Sequence, residues 1–171
     1  MTMVLALSAL SVFAVAGCSS GEQDKRAYPG TSSGQSLEHV MDRFKLKLPS
    51  CDVKEVGFSG SARYPEEKLS LSFRAPRPCV EKFLQEHGVS KVKDPYHWPS
   101  GRVVSGDSDP APEPPFLEAE TKRFGWKFDP RKLYNVYSDF HTSNGSLFKV
   151  LGEPHGDTET LYLQSTYAGG S

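Results

Sequence analysis

The chain has 171 residues, 37% hydrophobic and 24% charged, which suits one globular domain with some length to spare and is too short for two full-sized domains. Its 20 Lys and Arg stand against 21 Asp and Glu with no basic block, so the electrostatic footprint of a nucleic-acid binder is missing. No motif along the chain names a biochemical activity.

Residues 1–17 carry no charged side chain and run into Cys18 and a polar stretch, Ser19-Ser20-Gly21-Glu22-Gln23-Asp24-Lys25-Arg26. An apolar run shorter than the roughly 20 residues of a spanning helix, ending in small residues, reads as a cleaved export signal. No Lys or Arg precedes it, which fits a translation start upstream of Met1 and leaves Cys18 where it is. Val15-Ala16-Gly17-Cys18 resembles the lipobox of bacterial lipoproteins. That resemblance implies cleavage after Gly17, diacylglycerol on the Cys18 sulfur and a further acyl chain, such as palmitate, on the new amino group. Two or three acyl chains hold a protein stably on a membrane where one does not. The implied location is the outer face of the bacterial cell membrane. With Cys18 acylated, Cys51 and Cys79 remain as an even pair in an exported domain, most simply one disulfide and otherwise two buried thiols.

Residues 18–35 are rich in Gly, Ser and charge with one aromatic, Tyr28, a composition expected of a flexible tether to a domain spanning 36–168. Leu37, Val40, Met41 and Phe44 recur at helical spacing behind Ser36, a suitable N-cap, and predict a short helix ending before Pro49. Alternation at Val56, Phe58, Gly60 and Ala62, and again at Leu69, Leu71 and Phe73, predicts two strands joined around Pro65-Glu66-Glu67. Pro78 suits the first turn of a helix carrying Val80, Phe83, Leu84 and His87 on one face and stopping at Gly88. Six of the 13 prolines lie between 94 and 116, which predicts a long surface loop.

Phe124, Trp126 and Phe128 alternate with polar residues and read as a strand, followed by a turn at Asp129-Pro130 and a strand from Lys132 to Phe140. Asn144-Gly145 is the strongest hairpin signal and leads into a strand from Leu147 to Leu151. A turn over 152–157 and a last strand from Leu161 to Tyr167 complete the domain, with a loose tail from Ala168. The fold class expected is α+β: a mainly antiparallel sheet with two short helices packed on it and one disulfide.

Asp139 and His141 leave the same face of a predicted strand and, with His155, offer an acid/base or metal-binding arrangement if the chain folds one over the other. A solvated pair beside a hairpin is the plainer reading. Gly57-Phe58-Ser59-Gly60-Ser61 misses the nucleophile-elbow pattern by one residue and opens no helix. Asp107-Ser108-Asp109 starts like a calcium loop, but prolines replace the ligands that must follow. Tyr96, His97 and Trp98 in the Pro-rich loop suit stacking on a sugar or anchoring a protein, with inward packing of Trp98 as the competing role. No metal and no cofactor beyond the covalent lipid is expected.

The layout of lipobox, disulfide and size resembles the small uncharacterised lipoproteins of actinobacteria, a likeness that carries no activity with it. The anchor, together with the lack of a catalytic constellation in the sequence, leads to the expectation of a membrane-anchored, extracytoplasmic, non-catalytic domain that binds an envelope protein or cell-wall component. The alternatives are a lipid-anchored hydrolase and a metal or small-molecule sensor, each using Asp139, His141 and His155.

Overall fold

A computed structural model describes residues 23–31, 34–89 and 115–166, and the backbone of 96–97 and 102–103. The leader, Cys18, Trp98, most of the Pro-rich loop and the tail lie outside the described residues. The elements in chain order are α1 (Leu37–Arg43), β1 (Lys54–Ser61), β2 (Lys68–Pro76), α2 (Arg77–Glu86), β3 (Tyr96–His97), β4 (Arg102–Val103), α3 (Glu118–Phe124), β5 (Asn135–Val136), β6 (Phe140–His141), β7 (Leu147–His155) and β8 (Thr158–Ser165). β1, β2, β8, β7 and β5 lie side by side in that order, and β6 also pairs with β7, making one six-stranded sheet. Every strand pair in it is antiparallel. Together with the helices this is the α+β architecture expected, with a third helix.

Period-2 alternation gives the sheet two distinct faces. On the first, Leu69, Leu71 and Phe73 of β2 lie opposite Ser165, Leu163 and Leu161 of β8, and α1 and α2 close over this core. Ser36 caps α1 by accepting from the His39 backbone N–H at 3.3 Å. Gly60 admits α1 to the sheet, because a side chain there would meet the Val40 methyl at 2.7 Å and the Lys68 carbonyl at 2.9 Å. The disulfide Cys51–Cys79 joins the approach to β1 with the first turn of α2, its Cα atoms 6.4 Å apart.

The second face carries Ser59, Ser61, Ser70, Ser72, Thr160 and Gln164, and all six are buried. What covers the Ser72 end differs from expectation. Residues 24–31 are not free tether: the Tyr28 N–H donates to the Phe58 carbonyl at 2.8 Å, the Phe58 N–H to the Arg26 carbonyl at 2.9 Å, and Tyr28 enters the fold. Its hydroxyl bonds the Ser72 hydroxyl at 2.6 Å and accepts from Trp126 Nε1 at 2.8 Å. Burial pushes that phenol up to about 12. Gly57 leaves the space the Tyr28 ring occupies. The other side of this second core is built from Phe116, Trp126, Tyr134, Val136, Leu151 and Tyr162.

The segment 124–128 is not a strand. Gly125 has φ of 69° and ends α3, and the Trp126 N–H reaches back to the Thr121 carbonyl at 2.9 Å, a left-handed helix cap that happens to space three aromatics by two. The strand expected over 132–140 is broken into β5 and β6: between Val136 and Phe140 the chain takes four steps while β7 takes three, and the extra residue interrupts the pairing. The expected Asn144-Gly145 hairpin is present, with Gly145 at φ of 83° and the Asn144 side-chain amide donating to the Arg43 carbonyl at 2.9 Å. β7 continues to His155, so the turn expected over 152–157 shrinks to Gly156–Asp157.

Replacing Cys51 and Cys79 together by Ala removes a closed loop of 28-residue separation and lowers unfolding free energy by about 3–4 kcal/mol in urea titrations. Asp24 accepts from the side chain of Arg26 and from the Leu37 N–H at the start of α1, which holds its carboxyl well below its ordinary value of 3.8. Its contribution to stability is therefore present above pH ~4 and lost as pH falls through the depressed folded value. Unfolding curves of Asp24→Asn and the parent protein, separated at neutral pH, should converge on acidification; a gap that widens below pH ~4 contradicts this assignment.

Candidate functional site

A cavity of about 850 Å³ lies where α2 meets the end of the β7–β8 hairpin and the residues leading into β5. That volume is within the range of small-molecule sites, roughly 300–1,000 Å³. Arg77, Glu81, Leu84, Gln85 and Val89 line it from α2 and the turn after it, Arg131, Lys132, Leu133, Asn135 and Tyr137 from the β5 side, and Pro154, His155 and Glu159 from the hairpin. The geometry begins with the chain itself. β2 passes into α2 with no intervening residue, and Pro78 stands in the first turn, where its missing N–H costs nothing. Arg77 then ties the helix start to the hairpin turn, its N–H donating to the Asp157 carbonyl at 2.9 Å and its guanidinium to the Gly156 carbonyl at 2.7 Å. Gly156, at φ of 65°, allows that turn to be tight.

Two carboxylates are buried in this hairpin, Glu153 and Glu159, exposed by 6% and 1%. Glu153 pairs with Thr160 and Glu159 with Pro154, so the pleat sends the two acids to opposite faces of the sheet. Glu153, on the second face, accepts from Lys132 Nζ at 2.7 Å and from the Tyr162 hydroxyl at 3.0 Å. Burial and the adjacent Glu153 charge both push the Tyr162 phenol strongly upward. His155 Nε2 lies 3.7 Å from the same carboxylate, too far for a hydrogen bond, and this buried nitrogen has no hydrogen-bond partner among the described residues.

Glu159, on the first face, lines the cavity. Its Oε1 accepts from Asn135 Nδ2 at 2.7 Å and from the Tyr137 hydroxyl at 2.9 Å. Burial, then the Glu159 charge, push the Tyr137 phenol strongly upward. Among the described residues no group donates to Oε2 and no cation pairs with this carboxylate. Gly152, beside it on β7, is the residue that makes room: a side chain there would collide with the Glu159 carboxylate and meet the Tyr137 ring at 2.9 Å. Because the two acids face apart, they do not form a carboxylate pair across one substrate.

The residues singled out as an acid/base or metal set do not converge. Asp139 and His141 are exposed, and His141 pairs with Leu147 at the start of β7, whereas His155 ends that strand eight residues on, about 26 Å away at the rise of a strand. Among the described residues no three His, Cys, Asp or Glu are placed to hold a metal ion. Tyr96 and His97 form β3, paired with Arg102 and Val103 of β4; Trp98 and the side chains of Tyr96 and His97 lie outside the described residues. Ser59 is buried in β1, with no elbow. His87 is a packing residue, its ring stacked on Phe140 with centroids 4.5 Å apart and its pKa lowered by burial.

Sequence reasoning missed Glu153 because it placed 152–157 in a turn, where acids face water, and Glu159 because it started the last strand only at Leu161, whereas that strand begins at Thr158. The available signal was the hydrophobic run that follows Glu159, which extends one strand back through Thr158. No protein-family model, curated protein or solved structure matches the chain.

If Gly152 is the space for the Glu159 carboxylate, Gly152→Ala should cost about 1–3 kcal/mol of stability. Paired with Glu159→Ala, the cost should be clearly less than the sum of the two single changes in a double-mutant cycle. Simple additivity would show that the glycine serves something else.

Proposed function

We propose that this chain is a lipid-anchored, extracytoplasmic binding domain, non-catalytic, whose ligand site is the cavity at the hairpin end of the sheet. The observation that carries the reading is a cavity of ligand size lined by an almost fully buried acid whose second oxygen receives no hydrogen bond among the described residues. A carboxylate removed from water without its full set of partners is costly, and such groups concentrate where a ligand completes them. The lipobox-like Val15-Ala16-Gly17-Cys18 supports the anchor, and the disulfide Cys51–Cys79 is the kind of bond found in exported domains. The ligand comes from the cell envelope, either a wall component or an exposed group on a partner protein.

Intact mass of the protein extracted from membranes tests the anchoring, with alkylation before and after reduction. The expected species begins at Cys18, carries acyl chains, and exposes two alkylatable thiols only after reduction. Cys18→Ala should leave the chain unacylated and unprocessed at this site. Acylation absent from the native chain, or a Cys18→Ala protein that still carries acyl mass, would overturn the anchor.

A further inference from the structure

The charges lining the cavity are not equivalent once their partners are counted. Arg131 is held by Asp129, its Nε and Nη2 each 3.0 Å from a carboxylate oxygen, and Lys132 is held by Glu153 at 2.7 Å. The cations on the β5 side are therefore each paired with a carboxylate. Glu159 and Glu81 have no cationic partner among the described residues, and Arg77 makes its side-chain bond to a backbone carbonyl. Two carboxylates thus line the cavity with no ion-pair partner among the described residues, beside His155 and the Arg77 guanidinium, which bonds a backbone carbonyl, and one of the two acids is 1% exposed. Beside so buried a carboxylate as Glu159, a positive ligand is favoured over an anion.

We infer that the cavity takes an organic ammonium group, which donates to Glu159 Oε2 while its carbon chain lies against Leu84, Val89 and Leu133. Asn135 and Tyr137 fix the acid by occupying Oε1, so the free oxygen is held in place instead of rotating to find water. Gly152 keeps the acid from being displaced. The inference rests on the cavity as the ligand site, and it narrows that reading to one charge.

Three probes of equal length separate the possibilities: 1,5-diaminopentane, 1,5-pentanediol and glutarate, titrated into the processed full-length protein in nanodiscs and followed by the side-chain amide resonances of Asn135 and Gln85. The diamine should saturate and bind at least about tenfold more tightly than the diol, with glutarate weakest. Glu159→Gln should bring the diamine down to the level of the diol. Should that variant fail to fold, Glu81→Gln, a surface change on α2, should weaken the diamine about threefold and leave the diol unchanged. Diol or glutarate binding as tightly as the diamine would overturn the ammonium while keeping the cavity as a ligand site. Diamine binding that neither substitution changes, or no saturable diamine binding at millimolar concentration, would also overturn it. The anchor is read independently from the mass of the same sample.

Discussion

The central strands β2 and β8 are buried on both faces, and most of the fold is a response to that constraint. One face is apolar and is satisfied by two amphipathic helices. The other is lined with serine, threonine and glutamine, which cannot be covered by hydrocarbon without supplying hydrogen bonds. Tyr28 resolves part of this conflict: its ring packs against Phe124 and Trp126, and its hydroxyl joins Ser72 to the Trp126 indole. Arg74 Nε donates to Thr160 at 3.2 Å on the same face. A segment far from β8 in sequence is thereby a component of the core.

That constraint explains what was legible in the sequence and what was not. Ser36 before a helical repeat, Pro78 before another, the alternation of Leu69, Leu71 and Phe73, and Asn144-Gly145 are local signals, and each produced the element they indicate. Where a residue's role is set by a distant partner, local reading failed. Tyr28 sits in a stretch whose composition is that of a tether, and only Gly57 and Ser72, brought beside it by β1 and β2, make it a core residue. Phe124-Gly125-Trp126 alternates as a strand would, yet the glycine is a helix cap. The cavity was invisible for the same reason, since the setting of Glu159 comes from Asn135 on β5, Tyr137 just after it and Gly152 on β7.

The two buried acids show how one hairpin serves two ends. They lie six positions apart in sequence, but the odd step introduced by the two-residue turn places them on opposite faces, and their surroundings then diverge. Glu153 is completed by Lys132 and Tyr162 and links the residues before β5 to the second core. Glu159 receives only neutral donors on one oxygen. The completed acid ties two parts of the fold together, and the other is the one the proposed ligand site is built on.

The ordered N-terminal strap also changes the geometry of the proposed anchoring. A tether reaching to residue 35 would let the domain range widely over the membrane. With Asp24 already bonded to Arg26 and to the start of α1, the leash from Cys18 is six Cα steps, about 21 Å at full extension. The strap attaches along β1, one edge of the sheet, whereas β5 beside the cavity forms the other, four strand spacings or about 19 Å across. On the proposed anchoring, a lipid at Cys18 would hold the domain through its β1 edge, two strands from Glu159 on β8.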